Sequence, residues 1–526
     1  MTDRTRQRLL RLSPQERREL LRRLGAGGAA PSAEPTEAAG HAAGPPATEA
    51  ERTGRRRPAT PAQVSQWYLW NLAPASDAYH VPHLFDLRGP LDEAALEEAL
   101  RGVLARHEGL RVSFEQRAGR VWQRLGVVPT DVLRRGTADG RSAARRTLLA
   151  AACDPFDLRT GPLYRFALCR YGRDRNLLLL CFHHSVIDDH SATVLQRDLA
   201  ARYAQAATGR PATLPASEPR PVDTPPTGGG ARAAAGLRHW VETLRGGNPT
   251  IVPPDRVSTS ATHPRSRVVV PLPTATVAAV RRLAASSGTT SYVGYLALSW
   301  LFLARLTGRR DITLGSPVSI RSGGRDRDAV GFFLNSLALR GAVRPEETPR
   351  DLVRRAHRVF TDAMAHREHP LDDVTRAVAG ATGRPGRPLF RALLAYLRSD
   401  PDTERTALRL PGVTVSHEPV NCAHTAFDLG ITVLDAGERI TVLLDYAADL
   451  YDDASAWNWR TVWRMVAEAA LRPDLPLAPL LREHHPPGRP GGAGDAFRPV
   501  PRRAGGGGAE EPAGPGTAVV AGDDAV

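Results

Sequence analysis

The sequence predicts an α/β protein built as two lobes, and three observations carry that reading. Segments with helical apolar spacing alternate with short apolar runs of strand length. A Pro- and Gly-rich break at 211–230 divides the body. The second half then repeats the idiom of the first. With 526 residues, 42% of them hydrophobic, the chain can bury a sizeable core and hold two to four folding units.

In chain order, residues 1–24 read as helical. Ser13, Pro14 and Glu16 give a cap, a first-turn proline and the acid of a capping box, and Leu20, Leu21 and Leu24 form an apolar stripe. Residues 25–57, rich in Ala, Gly, Pro and Glu, read as a flexible linker, so 1–57 form an N-terminal helical segment and linker. The body divides into a first lobe at 58–230 and a second at 231–483. In the first, 91–107 place Leu96, Leu100, Val103 and Leu104 at helical spacing. The run 177–182 suits a buried strand, and 192–206 a helix. In the second, helices are expected at 274–286, 291–306, 350–365 and 453–470, and strands at 311–318, 428–434 and 439–446. Residues 484–526 hold too few large apolar side chains to repay the entropy of ordering and read as a disordered tail.

Composition excludes several classes of function. No apolar run reaches eighteen residues, and no apolar core with a cleavage site follows the Arg-rich start, so neither a membrane span nor a secretory signal is expected. Cys153, Cys169, Cys181 and Cys422 form no CxxC pair. They read as reduced thiols in a cytoplasmic protein, and no metal site is expected. The formal charge is +14, and all 70 basic residues are Arg. They are spread along the chain without an aromatic-interleaved block, so the excess reads as the mark of a GC-rich genome and not of nucleic-acid binding.

The chemistry-bearing segment is Phe182-His183-His184-Ser185-Val186-Ile187-Asp188-Asp189. Neighbouring side chains of a strand point to opposite faces, so one His can face a cavity while the other packs. Imidazole suits acid/base work near neutrality, and an Asp on the following turn can hold an Arg and fix the loop. A core histidine and a helix-capping aspartate would spell the same letters.

This string resembles the HHxxxDG motif of the condensation domains of nonribosomal peptide synthetases, and further segments resemble that family in its order. They are QVSQWYLWNL at 63–72, RHEGLRVSF at 106–114, DPFDL at 154–158 with GPLYR at 161–165, LTGRRD at 306–311 with Gly315, Pro317 and Arg321, VGFFLNSLALR at 330–340, HPLDD at 369–373 and YAADLY at 446–451. The resemblance spans about 60–482. It implies two lobes resembling chloramphenicol acetyltransferase, set in a V with a tunnel between them.

The resemblance also implies roles. His184 matches the catalytic histidine, and His183 is structural. Asp188 matches a buried aspartate paired with an arginine, here Arg321 or Arg111. Asn335 matches an asparagine near the tunnel, either bonding a reacting group or shaping the site. Asp189 departs from the family's usual Gly. It either tunes the acceptor side of the tunnel toward cationic amines or marks a domain that recruits a partner enzyme.

The implied activity is amide, less readily ester, formation between a carrier-bound acyl thioester and an amine. No bound cofactor is implied. Phosphopantetheine would arrive on a carrier protein in trans, and the amine acceptor would be free or carrier-bound, with no nucleic acid or membrane involved. Two alternatives stay open: a non-catalytic recruiting module, and an acyltransferase using acyl-coenzyme A. Ser287-Gly288-Thr289-Thr290 lacks the Gly and Lys of a phosphate loop, and His484-His485 shows too few companions for a metal site.

Overall fold

The computed structural model describes residues 54–215, 231–258, 260, 262–321, 324–384, 387–398, 408–420 and 422–481. The expectations for 1–53 and 484–526, and for most of the break at 211–230, lie outside the described residues.

The first lobe's first described strand is β1 (Arg56–Pro58), which takes in the last two residues of the segment read as linker. Helix α1 (Pro61–Leu72) starts on a capping box. Thr60 Oγ1 accepts from the Gln63 N–H, and Gln63 Oε1 accepts from the Thr60 N–H. There follow β2 (His80–Arg88), α2 (Glu93–Arg106), the hairpin β3 (Val112–Arg117) and β4 (Arg120–Leu125), β5 (Leu133–Thr137), α3 (Arg141–Cys153), β6 (Tyr164–Gly172), β7 (Arg175–His183) and α4 (Asp189–Thr208).

The second lobe holds α5 (Ala231–Leu244), β8 (His263–Pro271), α6 (Thr274–Ser286), α7 (Ser291–Thr307), β9 (Asp311–Ser319), β10 (Leu334–Ala342), α8 (Pro349–Ala365), α9 (Leu371–Thr382), β11 (Ala392–Arg398), β12 (Thr414–Glu418), β13 (His424–Thr425), β14 (Leu429–Ala436), β15 (Arg439–Ala447) and α10 (Asp453–Glu468). No helix among the described residues is long and apolar enough to cross a membrane.

Among the described residues, the first lobe's main sheet has the order β12-β2-β7-β6-β5, which makes β7 the central strand. Its side chains from Asn176 to His183 are all buried, which is why 177–182 reads as an unbroken apolar run and not as an alternation. The second sheet runs β10-β9-β11-β14-β15-β8-β13. Helix α7 is buried from Val293 to Ala304 and packs against α6, α8 and α10. Trp300 lies so close to Gly341 on β10 that a Cβ there would sit 2.4 Å from the indole ring. Each lobe has its own apolar core.

A late segment crosses the sequence-based division at 230. Strand β12 comes late in the chain yet pairs antiparallel with β2, with Val415 opposite Leu87 and Glu418 opposite Leu84. Leu408 and Leu410 are buried in the first lobe's core, and Glu418 meets Arg141 of α3. The late segment covers an otherwise open edge of the first sheet, so its backbone groups find ladder partners there.

Candidate active site

Strand β7 delivers the two histidines to the junction of the lobes, and the pleat separates them. His183 turns into the first lobe's core beside His80, Phe156 and Tyr79. Its Nδ1 accepts from the Ser185 N–H at 3.2 Å and lies 2.8 Å from the Ser185 hydroxyl. Burial first, then the neighbouring imidazoles of His80 and His184, hold His183 well below the usual histidine range. The ring is therefore neutral and serves packing.

His184 is partly exposed, and its ring rests on Phe332 from the second lobe, with centroids 5.0 Å apart. Its backbone N–H donates to Tyr79 O at 2.8 Å. Its Nδ1 lies 2.7 Å from Ile187 O. A carbonyl oxygen can only accept, so Nδ1 carries the proton and neutral His184 keeps its lone pair on Nε2. That is the tautomer a general base requires, set by the turn that follows the strand.

Asp188 builds that turn. It caps α4, with Oδ1 accepting from the Ser191 N–H at 2.7 Å. The same carboxylate accepts from Arg321 Nη2 at 3.0 and 3.1 Å, and its Oδ2 accepts from the Phe333 N–H at 3.0 Å. Of the two arginines left open by the sequence, Arg321 is the one seen at Asp188. Its side chain is 9% exposed against 2% for Asp188, so the pair is desolvated and held by well-placed hydrogen bonds. Arg321 also lies 4.0 Å over the Phe333 ring and donates to Ser191 Oγ at 2.7 Å and to Ala329 O at 3.0 Å. Arg111 lies in the first lobe, where it donates to Leu104 O at 2.9 Å and Gly126 O at 2.6 Å and ties α2 to the loop after β4.

Sequence reasoning missed Ser191 and the backbone of 331–333. Ser191 Oγ donates to Gly331 O at 2.8 Å and accepts from the Gly331 N–H at 3.1 Å. With Asp188 it joins α4 to the segment leading into β10. Farther along α4, His190 meets Arg327 O at 2.8 Å and Arg197 meets Asp328 at 2.6 Å. A serine three residues after a capping aspartate is an ordinary helix-start pattern, so no signal in the sequence marks it as a bridge between lobes. Gln63 of α1 donates to Ser185 O at 3.1 Å, which gives the opening motif a part in shaping the histidine turn.

Of the two roles left open for Asn335, its hydrogen bonds fit the shaping of the site. Its Nδ2 donates to Arg367 O at 2.8 Å and His369 O at 2.7 Å, and its Oδ1 accepts from the Ser336 and Leu371 N–H groups at 2.9 and 3.2 Å. The amide is committed to pinning the segment before α9 and is not offered to a reacting group. Asp189, the first residue of α4, is exposed to solvent, with protein packed around the base of its carboxyl. That crowding, then the charge of Asp188, raises its carboxyl above the usual range, against the opposing pull of His184 and His190. Away from this junction, His366, Glu368 and His369 converge in the second lobe, a cluster not singled out from the sequence.

The two sheet-and-helix lobes, which meet at the buried Asp–Arg pair beside His184, have the fold of the chloramphenicol acetyltransferase-like class. Within that class the chain belongs to the condensation-domain family, whose model matches residues 55–481. Among curated proteins it resembles phosphinothricin tripeptide synthetase PhsC of Streptomyces viridochromogenes, with 30% identity over 74% of this chain and 37% of that protein. The chain thus spans well under half the length of the synthetases it matches. Among solved structures it is similar to the X-domain in complex with OxyB from teicoplanin biosynthesis, with a TM-score of 0.71 and 25% identity over 84% of this chain and 99% of that one. The first condensation domain of the calcium-dependent antibiotic synthetase matches at 0.67 and 23%, over 81% and 99%.

Proposed function

We propose that this chain is an amide-forming acyltransferase of nonribosomal peptide biosynthesis. It takes an acyl or aminoacyl thioester from the phosphopantetheine arm of a carrier protein supplied in trans and joins it to an amine. The amine nitrogen attacks the thioester carbonyl, the C–N bond forms and the C–S bond breaks. The proton lost by the amine passes through His184 Nε2 to the departing thiolate, leaving amide and free thiol. Holding both substrates in reacting geometry supplies much of the rate, and His184 supplies the proton path. The observation that carries this reading is the 2.7 Å contact from His184 Nδ1 to Ile187 O, which leaves Nε2 basic.

The test incubates the chain with candidate acyl-loaded carriers and amines and measures intact product mass, with coenzyme A thioesters as controls. Product from carrier thioesters, lost in His184→Ala, supports the reading. Equal use of coenzyme A thioesters favours the wider acyltransferase group.

A second reading is a recruiting module, because one structural neighbour is an X-domain in complex with OxyB and because Asp189 replaces the expected Gly. Tight binding of an oxygenase by a chain that condenses no donor with any amine would favour it.

A further inference from the structure

In the second lobe, α5 lies against the turn between α8 and α9. Trp240 Nε1 donates to His366 O at 3.2 Å, and the rings of His239 and His366 stand 4.3 Å apart. His369 is buried, and its Nε2 lies 1.9 Å from where a Cβ on Gly236 would be, so α5 carries glycine where the imidazole packs. The backbone of the same turn is held by Asn335 through Arg367 O, His369 O and the Leu371 N–H. Arg367 is engaged with Met364 O at 3.1 Å. On this pinned turn, one ligand atom each of His366, Glu368 and His369 lie within 4.8 Å of one another.

We propose that His366, Glu368 and His369 form a binding site for a divalent transition-metal ion of the zinc type. Two imidazoles and a carboxylate are the donor set that suits zinc, cobalt and nickel and not the oxygen-seeking magnesium and calcium. Around tetrahedral zinc such ligand atoms stand about 3.3 Å apart, a closure that rotation of the half-buried His366 and Glu368 side chains toward the fixed His369 would supply. Water takes the fourth position, or His239, which already stacks on His366. The bonds from Asn335 and the close fit at Gly236 preorganise the turn, as outer contacts do at metal sites. With His239 among its ligands, a bound ion would tie the turn before α9 to α5. With His239 as fourth ligand the site would be closed, as structural zinc sites are, and with water it would stay open.

The experiment uses the full chain carrying His484→Asn and His485→Asn, which removes the tail imidazoles as competing ligands. After chelation and dialysis, cobalt(II) is titrated and followed by visible absorption, and zinc is measured against a chromophoric chelator. We expect saturable binding of a single ion, weakened by on the order of a hundredfold or more in both Glu368→Gln and His366→Asn, since loss of a ligand costs more than the tenfold to hundredfold of an outer contact. Circular dichroism should stay that of the parent, and zinc should raise the melting temperature of the parent but not of Glu368→Gln. Glu368 is only half-buried, so its amide variant keeps the test open should a histidine variant fail to fold. No saturable binding by the folded parent overturns the proposal, and so does equal affinity in parent and Glu368→Gln.

Discussion

His184 and Asp188 sit four residues apart and fail in different ways when removed. His184 is partly exposed and its side chain donates one hydrogen bond, to Ile187 O. His184→Ala should leave the melting temperature nearly unchanged and lower condensation by about a hundred- to ten-thousandfold. Turnover equal to the parent, with chemistry still limiting, would show that positioning alone drives the reaction. Asp188 accepts from Ser191, Arg321 and Phe333 at once. Asp188→Ala strands a buried guanidinium and should cost on the order of 3–5 kcal/mol of stability. Denaturant unfolding checks this, and an unchanged midpoint contradicts it. Asp189 stands beside them with its carboxyl raised, so its effect on substrates depends on pH. Asp189→Gly should retain condensation but lose preference for acceptors with a second positive charge. Paired rates on neutral and dicationic amines measure the change, and identical selectivity removes the idea.

At the scale of elements, local patterns were legible where an element's own side chains define it. Helix α6 and the helix beginning at Ser291 fall where the spacing places them, because their apolar faces meet one core. The run 177–182 was legible as β7 because neighbours cover it on both sides. Motif position left two roles open for Asn335, because it carries no information on where an amide's four bonds go, and the observed bonds fit the site-shaping one. Asn335→Ala should free the turn before α9, leaving the Ser336 and Leu371 N–H groups and two carbonyls without their partner. Each such group left unsatisfied costs about 1–3 kcal/mol. Hydrogen exchange at Leu371 and Ser336 should speed up while β7 stays protected. Unchanged exchange at both would show that Asn335 does not hold the turn.

For the whole molecule, buried imidazoles set the response to acid. His80, His107 and His183 are buried, and burial is the largest cause holding each below the ordinary value of 6.5. Below pH 6.5 the unfolded chain takes up protons that these folded sites resist, so stability is highest above that pH and falls as pH drops. A fully suppressed imidazole costs about 1.4 kcal/mol for each unit below 6.5. Asp77 and Asp198 have lowered values and keep their charge in this window, and among the described residues the raised carboxyl of Asp189 alone opposes the three histidines named, which outweigh it. The melting temperature should therefore be level from pH 8 to 7 and decline from 6.5 to 5. Calorimetry at fixed ionic strength checks it, and a rise in that range contradicts it.

By itself the sequence determined the alternation of helices and strands, the repetition in two lobes and the histidine string, because periodicity and local order are written in consecutive residues. Tertiary structure alone decided which arginine meets Asp188, that Ser191 bridges the lobes and that β12 closes the first sheet. It also decided that His366, Glu368 and His369 converge on a turn held from β10. The first three of these, and the hold of Asn335 on His369, join residues far apart in the chain, and the choice of Arg321 as the partner seen at Asp188 is made by packing.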